Sequence, residues 1–219
     1  MQTILHLDTS ARTLDKSRSS RNSISRMLAD SFREQWEKKA PDTKVIYRDL
    51  AENPPSFINE AWIAAVFTPD EQRTTEQNAL ISLSDELIDE VTEADIILLS
   101  TPMYNYGMPA VLKAWFDQII RVNKTFTFDL DRGDYPLQPT LSGKTMVLIT
   151  SSGEFGFRAG GIREKMNHLG PHIEVASQYL GVENFYEIGS EYQEFDDQRH
   201  IDSLSNANAE VTNLVALLA

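Results

Sequence analysis

Three short stretches of this chain carry residue types that hold a ligand rather than cleave one: Ser10 with Ser23-Ile24-Ser25, then Pro102-Met103-Tyr104-Asn105-Tyr106, then Ser151-Ser152-Gly153-Glu154. The first is rich in hydroxyls, with Thr9, Ser17, Ser19 and Ser20 nearby, and it ends where a helical pattern begins. Hydroxyls and the free N–H groups of a positive helix end form a neutral cradle for a phosphate. The stretch is neither G-x-G-x-x-G nor G-x-x-x-x-G-K-[ST], which disfavours a pyrophosphate or Mg-nucleotide and fits a monophosphate better. The second stretch sets two aromatics and an amide between Pro102 and Pro109. Such rings stack on a planar ligand, and Asn105 both donates to and accepts from a heterocycle edge. The third is small, so its backbone amides can come close to a ligand. Other chemistries find little support. The chain has no cysteine, which excludes disulfides, thiolate metal sites and cysteine nucleophiles. His168 and His172 share the i, i+4 spacing of a metal pair, but Gly170-Pro171 breaks the helix between them and no acid completes H-E-x-x-H. Asp129, Asp131 and Asp134 lack the glycine and closing glutamate of an EF-hand.

Stepwise alternation of apolar runs and helical spacing supplies the elements that position these stretches. Apolar runs predict strands over 3–8, 44–49, 95–100, 144–151 and 182–188. Spacing of three and four predicts helices over 23–39, 74–94, 109–121 and 196–218, and a helix over 163–180 interrupted at Gly170-Pro171. Residues 53–67 read as an irregular excursion with a short helix, and 125–141 as a loop or hairpin. Strands alternating with helices imply a parallel five-stranded sheet with helices on both faces, a three-layer α/β domain spanning residues 1–219. Ligands of such folds sit outside the carboxyl ends of the strands. The three stretches follow the first, third and fourth predicted strands and suit a phosphate, a ring and a ring edge, which together describe flavin mononucleotide.

The motifs Asp8-Thr9-Ser10, Ser23-Ile24-Ser25-Arg26-Met27-Leu28, Pro102-Met103-Tyr104-Asn105-Tyr106 and Lys124-Thr125-Phe126-Thr127-Phe128, with Gly133 and Leu137, carry a resemblance. The chain resembles the flavodoxin-like family of FMN-dependent NADH azoreductases and quinone reductases over essentially its whole length. The resemblance implies that Ser10, Ser23, Ile24 and Ser25 hold the phosphate and that Met103 to Tyr106 line the isoalloxazine. It also implies an enzyme that takes hydride from NADH or NADPH and passes it to quinones or aromatic azo compounds by ping-pong turnover, in a homodimer whose neighbour helps to wall the site. Tyr106, Phe128 and Tyr179 are the candidates for the aromatic walls of the acceptor pocket. Where that family shows Ser or Thr-Arg-Gly-Gly, this chain has Ser151-Ser152-Gly153-Glu154, and its loop over 12–22 is longer. An acidic flavodoxin-type electron carrier is the competing reading; it would use a compact phosphate loop and would not oxidise a nicotinamide. A phosphoacceptor domain would need an Asp after the third strand, where Ser100-Thr101 stands.

Charge sets the remaining bounds. A net charge of -13 over 219 residues argues against nucleic acid as a partner. Residues 1–48, which contain the proposed phosphate loop, nonetheless balance at +4, and the rest at -17. Residues 1–8 lack a basic segment leading an apolar core, and no window approaches the roughly 18 apolar residues of a membrane span, so a soluble cytoplasmic protein is expected.

Overall fold

The computed structural model describes residues 2–17 and 22–219. The chain runs β1 (Thr3–Asp8), α1 (Ile24–Lys39), β2 (Lys44–Asp49), α2 (Glu60–Phe67), α3 (Thr75–Glu93), β3 (Ile96–Pro102), α4 (Ala110–Ile119), β4 (Phe126–Phe128), β5 (Leu137–Pro139), β6 (Lys144–Ser151), α5 (Gly170–Ser177), β7 (Val182–Ser190) and α6 (Gln198–Leu218). Strands β2-β1-β3-β6-β7 form one parallel sheet in that order, while β4 and β5 make a separate antiparallel hairpin. Ser19 and Ser20 lie outside the described residues.

Alternation along each strand divides the apolar runs between two cores. Leu5, Leu7, Ile97, Leu99, Met146 and Leu148 face α3, α4 and α5, where Leu87, Val91, Trp115 and Ile173 meet them. Ile4, Ile96, Leu98, Val147 and Ile149 face α1 and α6 and pack on Phe32, Trp36, Val211 and Leu214. Burying one such side chain stabilises by about 1.5–3 kcal/mol, which makes β1, β3 and β6 the rigid floor under the three loops. The same parity sends His6, Asp8 and Ser100 toward α1.

Local signals fix the ends. Ser23 caps α1 by accepting from Arg26 N, and Thr74 and Gln77 form a capping box on α3. Residues 125–141 close as the β4–β5 hairpin, with Phe126 opposite Pro139 and Phe128 opposite Leu137. The 53–67 excursion docks through Trp62, whose Nε1 donates to Gln118 Oε1 at 3.0 Å. The predicted helix over 163–180 is shorter than its spacing suggests. Only a 3-10 turn, Glu164–Met166, precedes Gly170, and α5 starts there because Pro171, lacking an N–H, suits a first turn rather than an interior. Among the described residues no helix is long and apolar enough to cross a membrane.

Candidate functional site

The first loop leaves β1 and returns to the start of α1, so Ser10, Ser23, Ile24 and Ser25 lie together and are all buried. Ser23 Oγ and Ser25 Oγ are 3.3 Å apart, and Ser10 Oγ accepts from Arg12 N at 3.1 Å. The N–H groups of a first helical turn have no partner within the helix, which leaves those of Ile24 and Ser25 to an anion. A helix-end cradle of this kind binds an anion without a cationic side chain.

Arg26 instead organises a buried ionic cluster whose pairing no sequence motif announced. Its guanidinium grips Asp49 with Nη1 at 2.5 Å and Nη2 at 2.8 Å, meets Asp8 Oδ2 at 3.2 Å, and donates to the Ser10 carbonyl at 2.7 Å. Asp8 also accepts from Tyr47 Oη at 2.9 Å and from Ser100 Oγ, and His6 Nε2 lies 3.3 Å from its Oδ1. Burial on its own would raise the Asp8 carboxyl, but the adjacent His6 ring, the hydrogen bond from Ser100 and the charge of Arg26 outweigh it and hold Asp8 below the usual carboxylate range. Burial and the neighbouring Asp8 charge push the Tyr47 phenol up. The signal was present in register: Asp8 and Asp49 stand opposite one another at the ends of adjacent parallel strands, and two such carboxylates require a cation between them. By donating to its carbonyl, that cation fastens Ser10 to α1.

The second loop is a two-residue turn in which Tyr104 N–H and O pair with Gly107 O and N–H at 2.9 and 3.0 Å. Asn105 and Tyr106 both have positive φ, 48° and 67°. For a tyrosine this left-handed backbone is strained by about 1 kcal/mol or more, and it persists because the surroundings hold it. Those surroundings are the His168 N–H, which donates to Tyr106 O at 2.9 Å, and Glu154 Oε2, which accepts from Tyr106 Oη at 3.2 Å. The Asn105 side chain is exposed and has no hydrogen-bond partner among the described residues.

The loops interlock. Ala11 N donates to Tyr104 Oη at 3.2 Å, tying the first loop to the second, and Met103 N donates to Ser151 O at 2.8 Å, tying the second to the third. The loop after β7 supports the third, through Gln193 N to Ser152 O and Glu194 N to Gly153 O. A Cβ on Gly153 would fall 2.5 Å from the Glu194 side chain, which would have to move aside to admit it. Behind the loop lies a cavity of about 300 Å³ that reaches from Met103 and Ser152 to Glu187, whose carboxyl burial pushes up, with Glu174 and Glu191 adding to the effect.

Phe128 and Tyr179 do not join Tyr106 within one chain. Helix α5 runs back along the sheet, so Tyr179 arrives beside Gly181, whose carbonyl accepts from Lys144 N at the amino end of β6. There it packs edge-on against Phe126 at 5.6 Å. Phe128, 53% exposed, stands on the hairpin rooted at that same end, opposite to Tyr106.

A neutral hydroxyl and N–H cradle joined to an aromatic turn and a small-residue rim, all at the carboxyl edge of a 2-1-3-6-7 parallel sheet, fits a flavin mononucleotide in size order and in chemistry. The chain belongs to the family with the flavodoxin-like fold, whose model matches residues 2–214. Within it the sequence is 64% identical to the FMN-dependent NADH:quinone oxidoreductase 2 of Colwellia psychrerythraea, covering the whole of both chains. It is 37% identical to the FMN-dependent NAD(P)H:quinone oxidoreductase 1 of Pseudomonas aeruginosa, over 84% of this chain and 88% of that one. The fold is also that of the FMN-dependent NADH-azoreductase of Bacillus anthracis, solved in complex with FMN, at a TM-score of 0.85 and 18% identity over the full length of both chains.

Proposed function

We propose that this chain is an FMN-dependent oxidoreductase that carries electrons from NADH, or NADPH, to quinones and aromatic azo compounds. The observation that carries the reading is the interlock of the three loops, which puts the hydroxyl cradle, the aromatic turn and the small-residue rim in one continuous surface. FMN bound there would supply the hydride-transfer chemistry between nicotinamide and acceptor, the two substrates using the site in turn. The protein binds and orients. Ser10, Ser23, Ile24 and Ser25 hold the phosphate at the positive end of α1; Pro102, Met103, Tyr104, Asn105 and Tyr106 line the ring; Ser151, Ser152, Gly153 and Glu154 close its edge.

The reading includes a homodimer. Phe57 and Phe67 of the excursion and Leu130 and Tyr135 of the hairpin are each more than 70% exposed, an apolar display that a second copy of the chain would cover. In such a pair Phe128 would serve the partner's acceptor pocket rather than its own, which accounts for its distance from Tyr106. A cytoplasmic location, and the lack of a nucleic-acid or membrane partner, complete the proposal.

The test is direct. The purified protein should show the visible absorption of bound flavin, and anaerobic NADH should bleach it, with quinone restoring the colour. A colourless protein that FMN cannot reconstitute overturns the reading, and a yellow protein that NADH does not bleach assigns an electron carrier instead.

A further inference from the structure

At the rim of the site a carboxylate and a guanidinium are fixed in a particular order. Glu154 Oε2 accepts from the Tyr106 hydroxyl at 3.2 Å, and Glu154 Oε1 lies 3.2 Å from Arg163 Nη2. Arg163 is held from behind, with Nη1 donating to Phe155 O at 3.1 Å and the guanidinium 4.7 Å over the Phe155 ring. Phe155 in turn stacks on Tyr192 at 4.3 Å and 11°, which anchors the assembly to the loop after β7. The Glu154 side chain is 40% exposed and that of Arg163 23%. The carboxylate therefore sits at the Tyr106 hydroxyl and is the more exposed of the pair, while the cation lies on the carboxylate's other oxygen and is the more buried.

We propose that Glu154 sets acceptor specificity by charge, disfavouring planar acceptors that bear a sulfonate or carboxylate, with Arg163 as its counter-ion. This rests on the reading of Tyr106 as a wall of the flavin and acceptor pocket. An acceptor lying against that wall meets negative charge before positive charge. Neutralising Glu154 does more than remove a repulsion, because it leaves Arg163 without its partner and turns the rim from paired to cationic. At a half-exposed rim a change of one charge shifts the binding of a charged ligand by roughly threefold to tenfold, and salt weakens the effect.

The experiment uses the FMN-loaded protein in its oxidised form with no electron donor, so that binding is read apart from turnover. Calorimetry gives dissociation constants for hydroxymethylanthraquinone, which is neutral, and anthraquinone sulfonate, which is anionic. Glu154→Gln keeps an oxygen to accept from Tyr106. It should shift the ratio of the two constants toward the sulfonate by roughly fivefold at low salt, and by much less at high salt. Arg163→Gln should shift the ratio the other way. The ratio of kcat/KM values for the two acceptors with NADH should follow the binding ratio. An unchanged ratio in Glu154→Gln, or a shift that salt leaves intact, overturns the proposal. Failure of the wild-type protein to bind FMN or to reduce the neutral quinone would instead overturn the function on which it rests.

Discussion

The two ends of the proposed flavin surface are built by opposite means. Beside the proposed phosphate cradle lies a largely buried ionic cluster, with Arg26, Asp8 and the ends of β1 and β2 clamped together and Ser23 and Ser25 buried close by. At the ring end the shape comes from strained backbone and half-exposed side chains: Asn105 and Tyr106 at positive φ, and the Tyr106, Glu154 and Arg163 contacts at the rim. A phosphate is the same in every turnover and rewards a rigid frame. Acceptors vary, and a rim whose energy lies in exposed pairs can change its preference at little cost to the fold.

The contrast predicts where a substitution is felt most. Arg26→Leu leaves two buried carboxylates at the ends of β1 and β2 without their cation, and it should cost about 3–5 kcal/mol in chemical denaturation. Replacing Asp8 and Asp49 by asparagine in the same chain should recover much of that stability, since well-packed neutral groups are tolerated where an unpaired charge is not. FMN affinity should stay low in the recovered protein, because the clamp on the Ser10 carbonyl is still missing. Full recovery of FMN affinity would show that the cluster serves stability alone.

The sign of the Asp8 perturbation gives the next effect. A carboxyl held below its ordinary value of 3.8 stabilises the fold above that pH, and the contribution is lost as pH falls through the lower folded value. Stability of the wild-type protein should therefore drop more steeply below about pH 4 than that of Asp8→Asn, with the two curves parallel at neutral pH. Asp30 and Asp197 are also depressed but are common to both proteins, so the difference between the curves reports Asp8. Equal acid slopes would remove Asp8 from the frame of the cradle.

How far each end was legible in the sequence follows the same division. Apolar runs with no polar breaks read directly as β1, β3 and β6, and the serines ahead of Ile24 marked both the start of α1 and the cradle, because caps and phosphate sites use the same free N–H groups. Arg26 was legible only as part of a motif. Its partners are brought to it by strand register, which links Asp8 to Asp49 across 41 positions of sequence and leaves no local spacing to find. Tyr179 misled for a related reason: an aromatic near a glycine gives no sign of which end of the sheet its helix returns to. The strain at Asn105-Tyr106 was hidden as well, since neither residue is the glycine that normally marks a positive φ.

That strain supplies the smallest effect and the finest comparison. Asn105→Gly removes the cost of a side chain at φ 48°, which for asparagine is slight, so the protein without FMN should gain no more than about 0.5 kcal/mol in thermal or chemical denaturation. The same change deletes an exposed amide that makes no bond to the rest of the described chain, and whose assigned partner is the ring edge. Loss of one such bond should weaken FMN by about 1 kcal/mol, close to fivefold in the dissociation constant measured by flavin fluorescence. Opposite signs in the two measurements would mean that the turn holds its strained shape for the cofactor. A loss in both would mean that the amide is a structural member of the turn, and the ring end would then be framed as rigidly as the phosphate end.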